Sequence, residues 1–320
     1  MAGNTPLFME IFVRKLLIVL ILCLLSALSS PACWAKQKIH LTIGDSYAFG
    51  YTTDNPDDPS AFKGQSYGEP GYSAAYAAYL QSRTSDTLKS INLSIPGETT
   101  TSFFTGGSHG AAANLHYSTS LYPVYSEFGE FLYVTNAKSQ YKLLLETIQQ
   151  ARAEKSEIYR ITIHLGGNDL QELLSSGEFV SAESATRSAM LVPVLARASA
   201  NYDRLLGALR KAAPEARVIL LSYPNPFRAL GPVYQVMTDP LALGMNSLLT
   251  TKALLFDARF VDVYTPFLGH EGEWTYILDP YGSPGPIYGV RIPNAHLNAL
   301  GNAVVANLLI AQEKRLLLLF

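Results

Sequence analysis

The feature that most narrows the folds open to this chain is an alternation of short β-branched runs with longer stretches of helical periodicity. The runs are Ile39–Ile43, Leu88–Leu93, Tyr159–Leu165, Arg217–Leu221 and Phe260–Val263. The helical patterns fall at Tyr72–Ser82, Gln140–Lys155, Ala182–Ala213 with a break at Pro193, Leu241–Ala258 and Asn298–Glu313. Strand and helix in this order imply right-handed crossovers and a five-stranded parallel sheet covered on both faces, an α/β class. No internal repeat, low-complexity tract or linker divides residues 36–320, so one domain is expected there.

Two segments stand outside the alternation. Arg14 and Lys15 precede a mostly apolar stretch, Leu16–Leu28, after which Ser29, Ser30 and Pro31 break the pattern before Cys33-Trp34-Ala35. At 1.5 Å per residue such a stretch spans about 20 Å, short of the ~30 Å hydrocarbon layer, so residues 1–35 read as a secretory signal and the protein as exported. A lipidated Cys33 is the weaker reading, because Ser30 stands where an aliphatic residue is expected. The second segment, Thr99–Ser139, shows no helix or strand period but carries eight aromatic residues from Phe103 to Tyr133. It is expected either to wall the site as a flap or to form a small structural subdomain.

Composition excludes several function classes. With 24 Lys+Arg against 26 Asp+Glu and no dense basic block, attraction for phosphate backbones is weak, so nucleic acid is not an expected partner. Both cysteines, Cys23 and Cys33, lie in the leader, which leaves the remaining chain no thiol for catalysis, disulfides or metal. No pair of histidines has zinc-ligand spacing with a nearby carboxylate, and no cofactor or metal is expected.

In a parallel sheet, reactive groups gather beyond the carboxyl ends of the strands. Those exits here read Gly44-Asp45-Ser46, Pro96-Gly97-Glu98, Gly166-Gly167-Asn168-Asp169 and Tyr223-Pro224-Asn225-Pro226. A serine hydrolase needs a hydroxyl held in a turn, a base, and donors for an oxyanion. Ser46 supplies the hydroxyl, while the Gly97 N–H and the Asn168 amide are candidate donors. Taken singly, Gly97 reads as a turn glycine and Asn168 as a helix N-cap. His296 is the favoured base. His40 and His164 lie inside strands, His109 and His116 lie in the insertion, and His270 follows the fifth strand, whereas His296 precedes the last helix. Two G-x-S-x-G pentapeptides, at Ser66 and Ser108, lack the strand-to-helix setting that such an elbow needs.

The blocks Ile43-Gly44-Asp45-Ser46, Ile95-Pro96-Gly97-Glu98-Thr99, Gly166-Gly167-Asn168-Asp169-Leu170 and His296-Leu297-Asn298-Ala299-Leu300-Gly301, in this order, resemble the four blocks of the GDSL, or SGNH, hydrolase family. The match spans most of the chain after the leader. The resemblance implies a flavodoxin-like three-layer sandwich, with Ser46 as nucleophile and His296 as base. It also implies an oxyanion hole made from the N–H groups of Ser46 and Gly97 and the Asn168 amide. The family usually places an aspartate three residues before the histidine, and here that residue is Pro293; Leu297 likewise replaces a common proline. A backbone carbonyl near Pro293, the Asn294 side chain, or a distant carboxylate such as Asp279 could orient the ring instead.

The expected function is an exported carboxylic-ester hydrolase, esterase- or lipase-like, acting through an acyl-enzyme. Its substrate would be a small ester, a lipid or an acetylated glycan. The rival from another class is a catalytically silent glycan- or lipid-binding module on the same fold, motivated by the missing acid.

Overall fold

The computed structural model describes residues 37–50, 71–95, 97–106, 121–125, 131–135, 139–278 and 293–317. The leader, Ser66, Ser108, His109, His116 and Asp279 lie outside the described residues. Each of the five β-branched runs is a strand: β1 (Lys38–Gly44), β2 (Leu88–Asn92), β5 (Glu157–His164), β6 (Arg217–Leu221) and β7 (Arg259–Val261). They pair in parallel in the order β2-β1-β5-β6-β7. This is the expected α/β sheet. The chain leaves β1 for the neighbour on one side and returns to β5 on the other, so the crossovers reverse at β1 and open a crevice beyond its carboxyl end.

The insertion holds strands that no period in its sequence marks. Two of its segments, β3 (Leu121–Tyr125) and β4 (Phe131–Thr135), form an antiparallel hairpin that extends the sheet beyond β2 to seven strands. Pro123 hides β3 from a pattern search, since proline removes a ladder donor and is tolerated where one flank of a strand is open. That condition holds here, because β3 meets β2 at a single pair, Asn92↔Tyr125.

Six principal helices cover the sheet: α1 (Gly71–Ser82), α2 (Gln140–Ala153), α3 (Gly167–Leu174), α4 (Ser184–Ala212), α5 (Pro232–Leu255) and α6 (Ala299–Leu317). Strand alternation sorts them into two layers. Ile39, Leu41 and Ile43 with Val218 and Leu220 face α2, α4 and α5, whereas Ile219 and Leu221 face α1 and α6. Pro193 does not break α4, and Pro240 lies inside α5, which begins nine residues before the expected Leu241. Both prolines lie on the exposed face of their helices.

Candidate active site

At the end of β1 the chain reverses into one helical turn, Ser46–Phe49. Gly44 makes the reversal possible: its φ is +144°, and a Cβ there would lie 2.0 Å from the His164 carbonyl oxygen. The Asp45 N–H donates to that same oxygen at 3.0 Å. The Asp45 side chain caps the turn by accepting from the Tyr47 N–H at 3.0 Å, and it also accepts from the Tyr223 hydroxyl. Burial, opposed by these donors, pushes the Asp45 carboxyl up to about 7. Ser46 therefore sits on a turn fixed on three sides.

The next two strand exits are stitched to each other. The Asn168 Nδ2 donates to the Glu98 carbonyl at 2.9 Å, and Asp169 accepts from the Thr100 N–H at 2.8 Å and its hydroxyl at 2.7 Å. Asn168 is not the N-cap of α3, the role it suggests in isolation. Gly166 holds that position, and Asn168 lies within the first turn. Its amide carries two protons, of which the bond to Glu98 uses one and so orients the other.

A residue that the sequence did not single out binds this floor together. Gln140, the first residue of α2, is fully buried; its Oε1 accepts from the Gly44 N–H at 2.8 Å. Its Nε2 donates to the Gly44 carbonyl at 2.9 Å and to the Glu98 carboxylate at 3.1 Å. Ser102 donates to Glu98 as well, and burial outweighs both donors, raising that carboxyl to about 7. A glutamine opening a helix after a serine cap carries no pattern that distinguishes it from a surface residue.

His296 arrives on a short extended segment before α6. The His296 carbonyl accepts from the Tyr276 N–H at 2.9 Å, and Leu297 bridges to Thr275. The Tyr47 hydroxyl donates to the Ala295 carbonyl at 2.5 Å, tying the loop to the residue after Ser46. The imidazole is half-buried. Its Nδ1 lies 2.6 Å from the Asn294 Oδ1, and burial lowers its pKa to about 4. The Asn294 carboxamide, one of the three orienting groups open to the sequence reading, is bonded to the ring, while Asp279 lies outside the described residues.

Ser46, Asn168 and His296, which are far apart in sequence, line one cleft at the crevice beyond β1 and β5. Gly97 is not among the lining residues; its φ of +80° turns the chain toward Glu98, the acceptor for Asn168. The remaining wall is largely apolar, with Leu170 and Leu174 from α3, Leu241 and Ala242 from α5, and Phe227 between β6 and α5. Neither lysine nor arginine lines it among the described residues. Two other histidines are occupied elsewhere in the fold: His40 is buried between Ser90 and Thr162, and exposed His270 stacks on Trp274 and pairs with Glu273. Among the described residues no group of His, Cys, Asp or Glu is arranged to hold a metal ion.

The family model for the GDSL-like lipase/acylhydrolase family matches residues 42–304. The chain is similar to a solved phospholipase A1 from Streptomyces albidoflavus, at 16% identity and a TM-score of 0.50 over 87% of this chain and 99% of that one. It is also similar to the lipase Lip_vut3 from a goat rumen metagenome, at 17% identity and a TM-score of 0.52 over 86% of this chain and 96% of that one. At such identities the likeness concerns the fold. No curated protein matches the chain.

Proposed function

The chain belongs to the GDSL-like lipase/acylhydrolase family, and from that premise we propose that it hydrolyses carboxylic esters with Ser46 as nucleophile and His296 as base. The observation that carries this reading is the shared cleft, which holds a hydroxyl, an imidazole and a carboxamide at three separate strand or helix ends. As the Ser46 Oγ–carbon bond forms, its proton passes to His296 Nε2, and the carbonyl oxygen becomes an oxyanion. The Asn168 amide and the Ser46 N–H, both on the cleft lining, are the donors for that charge, and the Gly97 N–H, on the adjoining turn, is the third donor that the family resemblance implies. Collapse breaks the bond to the leaving alkoxide, which takes the proton from Nε2 and departs as an alcohol. Water then repeats the sequence on the acyl-enzyme, giving the carboxylic acid and restoring the serine.

The apolar wall from α3, α5 and Phe227 supports an acyl chain over an acetylated sugar as the occupant. The apolar stretch at Leu16–Leu28 supports export. Among the described residues no helix is long and apolar enough to cross a membrane.

Fluorophosphonate labelling tests the assignment: wild type should label rapidly, Ser46→Ala not at all, and His296→Ala far more slowly. A graded series of p-nitrophenyl esters should then show higher kcat/KM for butyrate to octanoate than for acetate. Correctly folded protein that neither labels nor turns over esters would favour a silent binding module. An acetate optimum would favour an acetylesterase.

A further inference from the structure

We propose that Asn294 is the positioning residue for the base, holding His296 in its active tautomer through a neutral carboxamide where a carboxylate would ordinarily serve; this rests on the assignment of His296 above. Three observations converge. Asn294 is fully buried, so its amide is held by the protein and not by water. Its Oδ1 accepts from two groups of the same residue, the His296 backbone N–H at 3.1 Å and the ring Nδ1 at 2.6 Å. The loop is pinned independently by Tyr47 at Ala295 and by Tyr276 at the His296 carbonyl, so the ring's place does not depend on an acid at position 293.

The two bonds to Oδ1 settle the protonation of the ring. A backbone N–H can only donate, so the end of the Asn294 amide that meets it must be the oxygen. An amide oxygen can only accept, so Nδ1 must carry the proton. The lone pair is thereby left on Nε2, the nitrogen that a base needs in the cleft. In serine proteases an asparagine in place of the triad aspartate lowers turnover about 10⁴-fold because it leaves the wrong tautomer. Here the backbone N–H selects the oxygen end and removes that fault.

The cost of a neutral partner lies in charge. Besides His296, the titratable side chains lining the cleft among the described residues are Asp45 on the β1 turn, Tyr47 beside it and Tyr223 at the β6 exit. The Asp45 carboxyl is itself held up by burial and engaged by Tyr223. The group that meets the ring at Nδ1 is the neutral Asn294 amide, and burial holds the His296 pKa near 4. The base should be neutral, and so competent, well into the acid range.

Two variants and two readouts test the proposal on the full chain. Asn294→Asp preserves the acceptor and the turn while adding charge, so the acid limb of kcat/KM should move from near 4 to at least one pH unit higher, as expected when a carboxylate favours the charged ring. Asn294→Ala should lower kcat by about 10²-fold or more with KM within about threefold, and should leave the limb unraised. Nitrogen NMR of His296 reads the tautomer directly, whether or not any ester is turned over, and should find Nδ1 protonated in wild type. An Nε2-protonated ring, an unmoved limb in Asn294→Asp, or wild-type kcat in Asn294→Ala would each overturn the proposal. An Nδ1-protonated ring in a protein that Ser46-directed probes do not label would instead overturn the ester-hydrolase reading and leave the positioning geometry standing.

Discussion

Replacing Gln140 by leucine should loosen the floor of the site out of proportion to any change in volume. Both ends of this buried amide are spent on the turn before Ser46 and on Glu98. Leucine keeps most of the bulk, so little cavity cost enters, unlike Gln140→Ala. The Gly44 carbonyl retains the Ile95 N–H at 3.0 Å and is not orphaned. The Gly44 N–H, however, is left facing hydrocarbon, a loss of about 1–3 kcal/mol, and Glu98 forfeits one donor at about 1–2 kcal/mol more. The sum, about 2–5 kcal/mol, is a large share of the roughly 5–15 kcal/mol that holds a typical domain folded. With m near 3 kcal/mol/M, the urea midpoint should fall by about 1 M. Gln150→Leu on the exposed side of the same helix serves as the control and should change stability by less than about 0.5 kcal/mol. A midpoint shift for Gln140→Leu no larger than that of the control would show that these three bonds do not carry the turn.

Under the proposed mechanism, Asn168→Ala removes a transition-state donor from a half-exposed position and should cut kcat by about 10²–10³-fold with the fold intact; steady-state kinetics with unchanged activity would remove Asn168 from the proposed oxyanion hole. Glu98 offers a test by pH. Burial holds its carboxyl up to about 7 against an ordinary 4.5, so between those values the folded chain keeps a proton that the unfolded chain has lost. Stability from this group is thus fully present below the lower value and is lost as pH rises through the upper one. Glu98→Gln removes the slope, so the stability of the variant relative to wild type should climb between pH 4.5 and 7 by up to about 3 kcal/mol, taking 1.36 kcal/mol per unit. Urea titrations that give the same difference at both pH values would contradict the buried-carboxyl account.

What could be read in the sequence follows from how each group signals itself. The five parallel strands were legible because each is a β-branched run bounded by turn residues, and the shared cleft of Ser46, Asn168 and His296 because their motifs fall at strand exits or before the last helix. The hairpin of β3 and β4 was not, since Pro123 breaks the pattern and pairing to β2 is confined to one residue pair. The start of α5 is hidden for a related reason: Pro240 reads as a stop, yet the helix runs through it from Pro232. Among site residues, the orienting group stays open in the sequence because Pro293 stands where an acid is usual and three other groups could serve. Gln140 gave no signal at all. Both Gln140 and Asn294 act through uncharged amides that donate and accept, and their chemistry depends on which backbone groups the fold brings opposite them. A carboxylate attracts notice in a sequence because a buried charge demands a partner, whereas a buried amide becomes legible only with the N–H of Gly44 or His296 in view. Where the base is held by an amide, the absence of an acid at the usual spacing is therefore no sign that the base is unheld.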